Sequence, residues 1–291
     1  LLIEAFHLIQ DKEGHLSARH LAALAELFRI SQAEVYEVAS FYHHFDIVKE
    51  GEKAPAPLTI RVCDGLSCEM AGAKELISEL NERVDPGKIR VQAVPCIGRC
   101  DAAPACSVGK NAVGKATASE LISLADVKTE PDISAYEDLQ AYLANGGYQI
   151  LKKIKSGDIS PEEAVEIMSD SGLRGLGGAG FPAGRKWGFV RSYPGPRLMT
   201  VNGDEGEPGT FKDRWWLEHQ PHRMIEGALI AAHVVGCERI YVYMRDEYAG
   251  VLQILRREFD LVNAFGLADH APLELRRGAG AYICGEESAM I

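Results

Sequence analysis

Four cysteines constrain this chain more than any other feature. Four residues separate Cys63 from Cys68, three separate Cys96 from Cys100, and 27 lie between the pairs. Each pair follows a β-prone run, at residues 58–62 and 88–94. Two loops at one sheet edge bring four thiolates together, and four thiolates suit zinc or an iron–sulfur cluster. The first spacing is wider than the tight pairs of a zinc knuckle and is like the first half of the plant-type [2Fe–2S] pattern. A C-x-x-C redox dithiol is absent. Spacing therefore favours a cluster over zinc, and either over four unrelated buried thiols. A chain of 291 residues buries a core without disulfide staples, so its seven cysteines favour a reducing, cytoplasmic compartment. Cys106 and Cys237 read as free buried thiols.

Hydrophobic periodicity divides the chain into three units. Residues 1–50 read as a helical bundle. One helix places Leu21, Leu24, Leu27 and Phe28 on one face, and the next opens with a Ser31/Glu34 capping box and carries Val35, Val38 and Phe41. His43 and His44, beside Tyr42 and Phe45, read as a packing edge rather than metal ligands. A charged linker with two prolines covers residues 49–57. Residues 51–130 run strand, helix (71–84), strand, helix (119–127), a small α/β domain. A second linker spans 128–134. Residues 131–291 form an α/β domain: helices at 136–154 and 161–169, then strands at 197–201, 239–245 and 273–277 alternating with helices at 221–235 and 248–265.

Three further segments carry chemistry. Residues 172–184 are glycine-rich and contain a formal G-x-G-x-x-G at Gly175, Gly177 and Gly180. The residues before it are helical, so the dinucleotide fingerprint of a strand-first Rossmann unit is rejected. Glycines still let backbone amides wrap a phosphate or a flat ring, with Arg174, Arg185 and Lys186 supplying positive charge. Phe181, Pro182 and Trp187 argue against a flexible linker. The second segment, residues 202–209, holds Asp204, Glu205 and Glu207 after a strand. Carboxylates repel phosphate, so this loop suits ribose or ribityl hydroxyls, or a divalent ion. The third, residues 278–288, is a glycine loop that enters a helix near Ser288, with Glu286 and Glu287 opposing anions. Cys284 reads as a small buried residue rather than a nucleophile. Trp215 and Trp216 read as anchors of a core or an interface.

The formal net charge of −11 argues against nucleic acid and against a polybasic membrane anchor. No apolar run is long enough to span a bilayer.

Taken together, these motifs resemble the NADH-oxidising flavoprotein module of respiratory complex I and its relatives, in a fused form. Residues 1 to about 127 resemble the 24-kDa-type subunit through Ser40-Phe-Tyr-His-His-Phe45, Val62-Cys-Asp-Gly-Leu-Ser-Cys68 and Cys96-Ile-Gly-Arg-Cys-Asp101. The resemblance implies a helical bundle and a thioredoxin-like domain whose Cys63, Cys68, Cys96 and Cys100 hold a [2Fe–2S] cluster. Residues from about 133 resemble the 51-kDa-type subunit through segments 172–187, 202–211 and 278–288, which implies an α/β FMN-binding domain of non-standard dinucleotide fold. Fusion in one chain is most like the β subunit of soluble NAD-dependent formate dehydrogenases, and similar to the diaphorase of NAD-reducing hydrogenases. The implied partner is a catalytic α subunit, with molybdenum or tungsten in the first case and nickel in the second.

By that resemblance FMN lies on Gly175, Gly177, Gly178 and Lys186. Asn202, Asp204 and Glu205 hold its ribityl chain and ring edge, and Gly285 and Glu286 close the pocket. NAD(H) contacts Phe181, Lys186, Phe189, Glu207 and Glu287, and a carboxylate near the adenosine ribose disfavours a 2′-phosphate. Hydride transfer by FMN requires no side-chain acid or base. Two departures stand out. The gap between the cysteine pairs is shorter than usual for the family, and the family's [4Fe–4S] cysteine motif would fall beyond Ile291. The flavoprotein domain is therefore expected to be C-terminally truncated.

Overall fold

The computed structural model describes residues 1–126, 130–176 and 178–290. The first helices are α1 (Leu2–Glu13), α2 (Ala18–Phe28) and α3 (Gln32–Phe41), with short parallel strands β1 (Leu16–Ser17) and β2 (Ile47–Val48) between and after them. Reciprocal capping boxes start two of them. Ser17 Oγ accepts from His20 N–H at 3.2 Å, and Ser31 Oγ accepts from Glu34 N–H at 3.2 Å. The buried stripes differ from those expected. On α2 the stripe is Leu21, Leu24, Ala25 and partly Phe28, while Leu27 is exposed; on α3 it is Val35 and Ala39, while Phe41 is exposed. The i, i+3, i+4 face is thus completed by the small alanines Ala25 and Ala39. This core is shared: Phe6, Leu16, Val35 and Phe45 pack with Tyr243, Ala279 and Cys284 from the other end of the chain.

The second unit runs β3 (Leu58–Cys63), α4 (Leu66–Met70), α5 (Ala73–Arg83), β4 (Ile89–Val94), β5 (Cys106–Val108), β6 (Asn111–Val113) and α6 (Ala118–Ala125). Its sheet order is β4-β3-β5-β6, with β3 and β4 parallel and the rest antiparallel. The β5–β6 hairpin was not legible from periodicity, since its strands have three residues each. Residues 127–129, part of the expected helix end and linker, lie outside the described residues.

The third unit opens with α7 (Leu139–Ala144), α8 (Gln149–Ser156), α9 (Pro161–Asp170) and α10 (Ala183–Ser192). The single helix expected over 136–154 is two. Gly146 and Tyr148 adopt positive φ, and a Cβ on Gly147 would stand 2.1 Å from the Tyr142 ring, so the chain turns there. Next come β7 (Leu198–Gly203), α11 (Lys212–His219), α12 (Pro221–Val235), β8 (Arg239–Met244), α13 (Ala249–Ala264), β9 (Leu273–Arg277) and α14 (Glu287–Met290). The three strands form a parallel sheet, β7-β8-β9, which α12 and α13 cover through Leu229, Ala232, Val251 and Leu255. Buried Glu258 is satisfied inside this unit by Tyr136 Oη at 2.7 Å and His222 Nε2 at 2.9 Å. No helix among the described residues is long and apolar enough to cross a membrane.

Candidate functional site

β3 and β4 are parallel and in register, Cys63 opposite Val94, so their C-terminal ends deliver both cysteine pairs to one sheet edge. Cys63 ends β3, Cys68 lies in α4, Cys96 follows β4 and Cys100 starts a 3-10 turn. Cys63, Cys68 and Cys96 are buried, and Cys100 is partly so. Cys96 Sγ and Cys100 Sγ stand 3.4 Å apart. The Cys96 thiol pulls Cys63 below the ordinary thiol range and is itself pushed up in return.

Each sulfur also accepts one backbone N–H. The donors are Gly65 to Cys63 at 3.4 Å, Ala105 to Cys68 at 3.4 Å, Gly98 to Cys96 at 3.4 Å and Gly209 to Cys100 at 3.3 Å. Four sulfurs, each facing an amide and gathered from two loops, fit a cluster whose thiolate charge such amides offset.

Gly209 belongs to the third unit, which grips the 96–101 loop closely. Arg245, 3% exposed at the end of β8, donates to Cys96 O at 2.6 Å and, at a shorter separation, to Glu205 O. Glu247 neutralises it at 2.8 Å. Arg214 donates to Gly98 O at 3.0 Å and Asp101 Oδ1 at 2.7 Å, and Arg99 reaches Glu218 at 2.7 Å. Gly98 has φ +73°, and a Cβ there would stand 2.3 Å from Tyr248 Oη, so only glycine lets Tyr248 approach. Sequence reading missed Arg214, Arg245 and Tyr248. The available signals were an arginine directly after a strand and another just past the acidic loop.

The acidic loop leaves the C-terminal end of β7 and meets the 278–288 loop. Asn202 Nδ2 donates to Gly285 O at 2.8 Å, and Asn202 Oδ1 accepts from Asp204 N–H at 3.1 Å. A Cβ on Gly285 would stand 2.9 Å from Asp204 O, and one on Gly278 would stand 3.1 Å from the Tyr243 ring. Asp204 Oδ2 is buried without a hydrogen-bond partner among the described residues. Burial pushes the Asp204 carboxyl up to about 7, against the pull of Arg245 and with the push of Glu247. Backbone packed this closely around an orphaned carboxyl oxygen fits a ligand rich in hydroxyls, such as a ribityl chain.

Glu205 behaves differently from its neighbours. Its carboxylate, on a residue 6% exposed, accepts from Asp213 N–H at 3.0 Å, Arg214 N–H at 3.2 Å and Tyr248 Oη at 3.1 Å. It caps the first turn of α11 instead of facing outward, so its carboxylate is already occupied within the chain.

Gly175, Gly178, Phe181, Lys186 and Phe189 lie on a separate segment. Gly175 N–H bonds Phe181 O at 3.0 Å and Ala183 N–H bonds Leu173 O at 2.9 Å, which brings residues 173–175 against 181–183 at the entry to α10. Gly178 has φ +129°, and a Cβ there would meet nothing within 4 Å. Gly177 lies outside the described residues. Phe181 and Phe189 are half exposed, 6.1 Å apart, with Arg185 over both rings. Lys186, Glu207, Glu286 and Glu287 are exposed. Trp215 and Trp216 are 46% and 43% exposed and pack on each other, with Trp215 also stacked on His219, so they anchor no core. Cys106, Cys237 and Cys284 are free and buried.

Residues 1–128 match the family model of the thioredoxin-like [2Fe–2S] ferredoxin, and residues 168–291 match that of the Nuo51 FMN-binding domain. An NADH-quinone oxidoreductase subunit of Rhizobium meliloti (strain 1021) is 46% identical over 53% of this chain and 38% of its own length. The NAD-reducing hydrogenase HoxS subunit alpha of Cupriavidus necator is 30% identical over 100% of this chain and 54% of its own. A crystal structure of an NAD+-reducing [NiFe]-hydrogenase in the H2-reduced state superposes with a TM-score of 0.82 at 30% identity, covering 99% of this chain and 53% of that one. The chain thus spans about half the length of the relative it matches throughout. It is a fusion of a thioredoxin-like [2Fe–2S] ferredoxin domain with a Nuo51-type FMN-binding domain.

Proposed function

We propose that this chain is the diaphorase component of a larger NAD(H)-linked oxidoreductase. The observation that carries the reading is Arg245, whose one guanidinium holds both Glu205 O in the flavin loop and Cys96 O in the cluster loop. A side chain that ties the two loops fixes the separation on which electron transfer between their cofactors depends. When bound, FMN would supply hydride exchange with a nicotinamide nucleotide and its conversion to single electrons, and a [2Fe–2S] cluster on the quartet would supply a one-electron acceptor.

The chain's own residues bind, orient and exclude water. Cys63, Cys68, Cys96 and Cys100 hold the cluster. Asn202, Asp204 and the backbone around Gly285 receive the ribityl chain and ring edge, with Glu286 beside them. Gly175, Gly177, Gly178 and Lys186 take the phosphate and ring. Phe181 and Phe189 receive the adenine, while the carboxylates of Glu207 and Glu287 disfavour a 2′-phosphate, which selects NAD over NADP.

The larger assembly is proposed to be an NAD-dependent formate dehydrogenase, whose catalytic subunit carries molybdenum or tungsten. That choice rests on the fusion of both modules in one chain. A nickel hydrogenase partner is the second reading, favoured by the likeness to a hydrogenase diaphorase across the whole chain. The test is a visible spectrum and NADH:ferricyanide assay on the purified chain, with metal analysis of its co-purifying subunit. Flavin and cluster bands that bleach with NADH are expected. A colourless chain that holds zinc and ignores NADH would sink the reading, and nickel in the partner would replace formate by hydrogen.

A further inference from the structure

We propose that His7, His44 and Asp246 form a site for a divalent transition-metal ion of the zinc class, which ties the N-terminal helices to the third unit. The ligand atoms of the three side chains lie within 4.8 Å of one another. His44 Nδ1 and Asp246 Oδ2 are 3.2 Å apart. Bonds of about 2.0–2.2 Å in tetrahedral geometry place neighbouring ligands roughly 3.3 Å apart. His44 Nδ1 and Asp246 Oδ2 already have about that spacing, and His7 lies within 4.8 Å of both.

The tautomer of His7 is the second observation. His7 is 2% exposed, and its Nε2 lies 2.7 Å from Gly278 O. A carbonyl only accepts, so Nε2 carries the proton and Nδ1 carries a lone pair. That Nδ1 is buried and has no hydrogen-bond partner among the described residues. A neutral imidazole whose N–H is held by a backbone carbonyl, with its other nitrogen free, is the arrangement metal-binding histidines adopt. In a purely structural cluster the orphaned nitrogen would be an uncompensated cost.

Asp246 is oriented in the same way. Arg277 Nε binds its Oδ1, which leaves Oδ2 toward His44. Arg277 and the half-buried Arg61 oppose a cation here, but Asp11 faces Arg277 at 2.5 Å and Glu247 lies beside Asp246. Repulsion from the two guanidiniums disfavours calcium or magnesium, which gain little from imidazole; two nitrogens and one carboxylate suit zinc and its neighbours. A cavity of about 450 Å³, lined by His43, His44, Asp246 and Glu247, gives an ion a path from solvent. His7 lies on α1, His44 follows α3 and Asp246 follows β8, so a bound ion bridges two units and its binding energy adds to their association.

The experiment uses the chain with its iron and flavin in place, so that the cysteine quartet is filled. It is incubated with Zn2+, gel-filtered and analysed for zinc, and the zinc edge is examined by X-ray absorption. One zinc per chain with a nitrogen and oxygen shell is expected. Losing an outer partner of a metal ligand already costs about 10–100-fold in affinity, so His44→Ala and Asp246→Asn should each weaken Zn2+ binding by about a hundredfold or more. Asp246→Asn keeps the side chain's shape if His44→Ala fails to fold. No retained zinc, a sulfur shell, or full retention in Asp246→Asn would each overturn the proposal.

Discussion

Gly209, in the flavin-binding domain, donates its backbone N–H to Cys100 Sγ, in the ferredoxin domain, at 3.3 Å. One sulfur of the quartet therefore has its amide supplied from across the domain boundary, by the turn that follows Glu207. A hydrogen bond to a cluster sulfur favours the more negative, reduced state and raises the potential. Gly209 has φ +89°, and a Cβ there would meet nothing within 4 Å, so backbone strain alone limits substitution. Gly209→Val is expected to displace the turn and lower the cluster's midpoint potential in an EPR-monitored titration. Gly209→Asn tolerates positive φ and should stay near the parent value. Equal potentials in both variants would remove any role for this bond.

The quartet and the nearby free thiol make opposite predictions. Cys106 is fully buried and shares a core with Cys68, yet it lies on β5 and outside the ligand set. Cys68→Ala should abolish the [2Fe–2S] EPR signal and deplete iron. Cys106→Ala should keep both and lose only about 1 kcal/mol of stability through a small cavity. Iron analysis of the two variants side by side distinguishes them.

Arg245 is expected to be the costliest single contact to remove at the domain boundary. Arg245→Met leaves Cys96 O, Glu205 O and the Glu247 carboxylate without their buried donor. Breaking such a buried pair costs roughly 3–5 kcal/mol. Arg245→Lys should recover little, because an ammonium cannot reproduce the guanidinium fork. Denaturant unfolding of the three proteins measures both claims, and a lysine variant as stable as the parent would refute the second.

Asp204 predicts a pH dependence of defined sign. Burial raises its carboxyl from 3.8 to about 7 in the folded chain, while Arg245 and Glu247 pull in opposite directions and Tyr243 lies beside it across Gly278. Between those two values the folded chain binds more protons than the unfolded one, so stability falls as pH rises and the loss is complete above about 7. Asp204→Asn lacks this penalty. On flavin-stripped chain, the variant's melting temperature should gain on the parent's as pH is raised from 4.5 to 8. A difference that does not change with pH would show that the carboxyl is not buried as described.

Much of the architecture was legible because local chemistry dictates it. The spacing of Cys63, Cys68, Cys96 and Cys100 marked two thiol pairs that reach one sheet edge, the Ser31/Glu34 box marked the start of α3, and the alternation after residue 197 marked an α/β unit. Each signal acts over a few residues, within reach of one turn or one strand. The weaker readings failed where neighbours decide the outcome. Leu27 and Phe41 belong to apolar periodicities but lie off the buried face, and residues 136–154 form two helices because Gly147 must pass beneath Tyr142.

Sequence by itself determined which residue types the site contains and which sheet edges carry them. Only the tertiary structure decided how the parts meet. Arg245 lies 149 positions from Cys96 and Gly209 lies 109 from Cys100, and no periodicity links residues so distant. The same holds for Glu205, an apparent ligand carboxylate that turns inward to cap α11, and for His7, which comes to rest on Gly278 O. Buried polar atoms must find partners wherever the packed units place them, and that choice exists only once the units have docked.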